Sequence, residues 1–162
     1  MKALPVTGTA AERPRLYRVP PVGLSLAERA EARRQAAGQR TTWSFPGYDA
    51  DTPGRAAFNA GIAYGVWGAG DYLAGVLAEL AGHLTTHAMH VIHAPQYGVT
   101  AMLTHCEATI SVLALRGRAV DVIDPGIHRG IQDLAHSWGS LQLAAGPAVY
   151  GTRTLPAVAP IR

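Results

Sequence analysis

The sequence predicts a mainly α fold, a bundle of about four or five helices carrying an extended N-terminal arm and an extended C-terminal strap. Three observations predict it. Apolar residues from Phe58 to Val91 recur at steps of mostly three or four, the spacing of one helix face. Helix starts are marked twice, by Ser25 with Glu28 as a capping box and by Asp124 as an N-cap with Pro125 at the first helical position. The links between apolar segments are short, which favours antiparallel neighbours.

A chain of 162 residues with 48% hydrophobic residues is long enough for one domain with a sizeable core. Residues 1–23 hold Pro5, Pro14, Pro20 and Pro21, which lack donors and disfavour helix, so they read as an extended basic arm. Residues 24–146 form the helical domain, and residues 147–162, punctuated by proline, form the strap.

Within the domain, the first helix runs from Ser25 to a C-cap at Gly38 and has Leu24 and Leu26 as nearly its only large apolar residues. The connector RTTWSFPGYDADTPGR follows, pinned to the body by Trp43, Phe45 and Tyr48. One long helix, or two in near continuity, is expected from Pro53 to Pro95. Its Ala57, Gly61, Gly65 and Ala69 make a row of small residues suited to close helix packing. The same row invites a membrane reading, which Asp71 and Glu79 oppose by placing carboxylates in the span.

After APQYG, the residues Val99, Met102, Leu103, Cys106, Ile110 and Leu113 follow a helical period. The alternative is α+β, with ISVLALRG and AVDVID forming a hairpin near 108–124. Ile127, Ile131, Leu134, Trp138 and Leu141 step by three and four along a last helix that ends at AAGP.

Charge is uneven. The net charge of +3 divides into +5 for residues 1–40, with eight Lys/Arg against three Glu, and −2 for the rest. Arg13, Arg15, Arg18, Arg29, Arg33 and Arg34, with Arg40, are candidate contacts for nucleic acid or an acidic partner. Only 15% of residues are charged, which favours a protein that covers apolar surface in a homo-oligomer or on an unidentified protein partner. The single Cys106 fits a reducing compartment and the cytoplasm, and apolar neighbours suggest a buried thiol.

HLTTHAMHVIHAP, residues 83–95, holds four of the seven histidines. On a helix Glu79, His83, His87, His90 and His93 share one face, and i, i+4 imidazoles can share a divalent metal ion. His83, His87 and His90 are therefore candidate ligands, with Asp133 and His136 as donors from the last helix and His105 and Glu107 as further candidates. The alternatives are a solvated or inter-subunit face, or histidines hydrogen-bonded in the core; imidazoles clustered on one face would also charge together as pH falls toward about 6 and loosen the fold. No P-loop and no G-x-S-x-G elbow is present. Function then divides three ways: a non-enzymatic assembly or docking protein, a metal-binding bundle, or a nucleic-acid-associated protein.

Overall fold

The computed structural model describes Ser25, Ala27, Glu28 and residues 38–156. In chain order its elements are strand β1 (Gln39–Pro46), helices α1 (Thr52–Val66) and α2 (Asp71–Val91), and strands β2 (Ile92–His93), β3 (Gln96–Leu103), β4 (Glu107–Leu115) and β5 (Arg118–Ala119). A 3-10 turn (Pro125–Ile127), helix α3 (Arg129–Leu134) and strands β6 (Ser137–Leu143) and β7 (Gly146–Thr154) complete it. The mainly α expectation is corrected: the fold is α+β, with a five-stranded antiparallel sheet in the order β1-β3-β4-β7-β6 and a two-stranded pair of β2 and β5. The arm, residues 1–23, lies outside the described residues. Of the first helix, Ala27 and Glu28 are helical, and the capping box is formed: Glu28 N–H donates to Ser25 Oγ at 3.3 Å, and Ser25 N–H donates to Glu28 Oε2 at 2.8 Å.

Alternate positions of β3 and β4 supply the centre of the sheet's core face. Tyr97, Val99, Ala101 and Leu103 of β3, and Ala108, Ile110, Val112 and Ala114 of β4, are all buried beneath the helices. Cys106 sits in the turn between these strands and is exposed, with its sulfur 3.4 Å from Thr104 Oγ1, so the expected buried thiol is not found. The hairpin alternative near 108–124 is also displaced, because β4 pairs with β3 and β7, while β5 pairs with β2.

The first part of the predicted connector is β1, which pairs with β3 from Gln39↔Leu103 to Pro46↔Gln96, and its last four residues open α1. Phe45 is 2% exposed and Trp43 packs on the core, as expected, whereas Tyr48 is 91% exposed. The long helical stretch is two helices. They part at Trp67–Gly70, where Gly68 (φ +79°) and Gly70 (φ +87°) adopt left-handed conformations that suit glycine. Ala57 and Gly61 lie at the α1–α2 contact: a Cβ on Gly61 would meet that of Ala78 at 3.3 Å, and one on Gly82 would meet that of Ala57 at 3.5 Å. Gly65 faces open space and Ala69 falls in the turn beyond α1, so the small-residue row seats the helix pair only over its first half. Among the described residues no helix is long and apolar enough to cross a membrane.

The expected last helix is the 3-10 turn, the six-residue α3 and then strand β6. Asp124 caps as predicted, its Oδ1 accepting from Gly126 N–H at 2.9 Å. The expected strap is corrected most sharply, since residues 146–154 form β7, an interior strand between β4 and β6.

Both helices lie on one face of the sheet. Pairing register defines the other face: Thr42, Thr100, Ser111, Tyr150 and Gly139 form one cross-strand row, and Ser44, Gly98, Leu113, Ala148 and Leu141 form the next. Hydroxyl pairs bridge Thr42 to Thr100 at 2.9 Å and Thr109 to Thr152 at 3.1 Å. Leu113, Leu115, Leu141 and Leu143 are half-buried and take no part in the core under the helices.

Candidate functional site

The histidine-bearing half of α2 is covered by the segment 118–136, which crosses from β5 to β6. Its start is tied to the end of α2, where Val120 N–H donates to Val91 C=O at 2.8 Å and β5 pairs with β2. Its far end is anchored by the fully buried Ile131 and by Arg153 of β7, whose Nη1 donates to Leu134 C=O at 2.6 Å. Burying a side chain of that size stabilises by about 1.5–3 kcal/mol, so Ile131 is the main apolar anchor of the crossing segment.

Between these anchors the histidines meet. The rings of His83 on α2 and His128 on the crossing segment stand 5.1 Å apart at 49°. His83 also lies over Gly130, where a Cβ would come within 2.8 Å of its ring. Only glycine lets the backbone pass so close. One turn beyond His83, His87 is 7% exposed, and its Nε2 has no hydrogen-bond partner among the described residues. His128 Nδ1 is likewise buried without one. The turn carrying His128 is braced by Trp138, whose Nε1 would lie 2.5 Å from a Cβ on Gly126, and by Gln132 Nε2 donating to Gly126 C=O.

Electrostatics follow from this packing. Burial lowers the His87 pKa, and the nearby His128 and His90 lower it further while Asp124 opposes them. Burial also lowers that of His128, with His83 and His90 adding to the effect. Both rings are thus held neutral to lower pH than a free histidine.

The metal reading is corrected by the same geometry. Among the described residues no group of three or more His, Cys, Asp or Glu side chains is arranged to hold a metal ion. His83 and His87 do share a face of α2, but His90 is exposed and the donors expected from the last helix go elsewhere. Asp133 is exposed on α3, and His136 Nδ1 accepts from Thr154 N–H at 2.9 Å. His93, His105 and Glu107 are exposed on β2, the β3–β4 turn and β4. His83, His87 and His128 meet as packing groups between α2 and the crossing segment. His128 and Asp124 are the members the sequence reading did not include, and only the crossing of residues 118–136 over α2 brings them there.

The basic candidates Arg13, Arg15, Arg18, Arg29, Arg33 and Arg34 lie outside the described residues; Arg40 is exposed on β1, in the row of Met102 and Thr109 on the open face. No protein-family model matches the chain, and no curated protein is significantly similar to it in sequence.

Proposed function

We propose that the chain is a non-enzymatic cytoplasmic docking protein that pairs with a second copy of itself through the open face of its sheet. The observation that supports this reading is the set Leu113, Leu115, Leu141 and Leu143: half-buried aliphatic side chains gathered around the buried Ala148 on the face opposite the helices. Antiparallel sheets commonly carry polar residues on such a face, and a contiguous apolar corner marks a surface for association.

A second copy suits this corner because a two-fold interface sets the same patch against itself. The two rows through Ser111 and Leu113 carry no charged side chain, so their self-apposition buries no like charges. Among the described strand residues of this face, charge lies at the far corner, where Arg40 and Glu107 differ in sign. The low charged fraction of 15% agrees with a chain that covers surface by self-association.

Native mass spectrometry at micromolar protein tests the reading, with a dimer expected for the wild type. Leu113→Glu places a carboxylate in the middle of the patch and is expected to give a monomer with unchanged far-ultraviolet circular dichroism. A wild-type monomer, or a dimer indifferent to Leu113→Glu, would overturn it.

A further inference from the structure

We propose that His83 and His87 of α2, together with His128 of the crossing segment, form a proton-operated latch that holds residues 118–136 against α2 when neutral and releases them when charged. The geometry has three parts. The His83 and His128 rings are 5.1 Å apart, close enough that two positive charges there repel strongly in a partly dry setting. The His87 side chain is more than nine-tenths buried, and among the described residues neither its Nε2 nor His128 Nδ1 has an acceptor for the proton that charging adds. An imidazolium is donor-only at both nitrogens, so each charged ring must reach water. Water is reached by lifting the crossing segment, because α2 is fixed in the core by Leu77, Leu80 and Leu84.

The groups facing the latch are few. From α2 come His90, the exposed Glu79 one turn before His83, and the latch histidines themselves; from the crossing segment come His128 and Asp124. Among the described residues Asp124 is the carboxylate acting on His87, and it is exposed and engaged with Gly126 N–H, so it offsets only part of the repulsion. On α3, Arg129 and Asp133 are exposed, β6 contributes no titratable side chain, and Arg153 of β7 is bound to Leu134 C=O.

The direction of the pH effect follows. Folded His87 and His128 take up protons less readily than in the unfolded chain, where their ordinary value is 6.5. Stability from the latch is therefore present above 6.5 and is lost progressively as pH falls below it. What opens first is the segment the histidines clamp, because α2, which carries His83 and His87, is held in the core by Leu77, Leu80 and Leu84, and the sheet carries none of the three latch histidines.

Hydrogen exchange on the full chain between pH 8 and 5, corrected for intrinsic rates, tests the latch. Amides of the segment, Ile131 and Ala135 among them, are expected to lose protection by about tenfold or more below pH 6.5, while β3 and β4 amides keep theirs. The double variant His87→Gln/His128→Gln is expected to flatten that dependence. If this variant does not fold, imidazole proton titration of the wild type by NMR decides: His87 and His128 should titrate below the ordinary histidine value of 6.5, in step with the loss of protection. Protection that is independent of pH in the wild type, a pH dependence unchanged in the double variant, or ordinary titration of both histidines would each overturn the proposal.

Discussion

Tyr64 shows how a single polar atom can join two layers of the fold. Its ring is fully buried on α1, edge-on to Trp67 at 5.4 Å. Its hydroxyl reaches the backbone of the sheet, accepting from Met102 N–H at 3.2 Å and lying 2.7 Å from Thr109 C=O and 3.0 Å from Met102 C=O. Burial pushes the phenol above its ordinary range, so it stays a neutral donor at every physiological pH. Tyr64→Phe leaves these backbone groups buried and under-satisfied, and is expected to cost about 1–3 kcal/mol in urea unfolding. An unchanged midpoint would show that the hydroxyl contributes nothing net. Nothing in the sequence marks Tyr64, since its partners lie 38 and 45 residues away. By contrast, the capping roles of Ser25 with Glu28 and of Asp124 were legible, because each partner lies two or three residues along the chain.

At the scale of elements, helices were legible and strands were not, for a reason visible in β3 and β4. The positions facing the core include Ala101, Ala108 and Ala114, small residues that weaken a two-residue alternation. The opposite face carries Met102, Leu113 and Leu115, which fill the gaps with apolar side chains. Picking the large residues from both faces yields steps of three and four and imitates a helix. The same masking affects β6, where Trp138 packs toward the core and Leu141 lies on the open face. β7 was obscured by Pro147 and its threonines, yet it contributes Val149 to the core and pairs along both edges. A strap could be removed with little harm, whereas an interior strand could not. Truncation after Gly146 is accordingly expected to abolish cooperative thermal unfolding and near-ultraviolet circular dichroism, and a truncated chain that melts like the full one would contradict the placement of β7.

For the whole molecule, what matters is how far apart in sequence the paired strands are. β1 joins β3 across 50 to 64 residues, from Pro46↔Gln96 to Gln39↔Leu103, and β4 joins β7 across as many as 47, at Glu107↔Thr154. A helical bundle of this size makes mostly local contacts, but this sheet must close large loops before its pairing is rewarded. Refolding from urea is expected in milliseconds to seconds, and a microsecond phase accounting for the full amplitude would point back to local, bundle-like contacts. The histidine cluster belongs to this scale as well: its α2 members could be read from their spacing, but His128 joins them only through the path of the crossing segment.

The position of β1 at the sheet edge also bears on how the chain is made. At a synthesis rate of about 5–20 residues per second, β1 leaves the ribosome roughly 3 to 13 seconds before the β3 residues it pairs with. During that interval α1 and α2 can already form a hairpin, and the first strand waits beside it with unpaired backbone. The closing strand, β7, arrives last and enters between β4 and β6. A nascent chain stalled before residue 146 therefore presents a half-built sheet with open edges, the form most exposed to chaperone capture or to pairing with another chain.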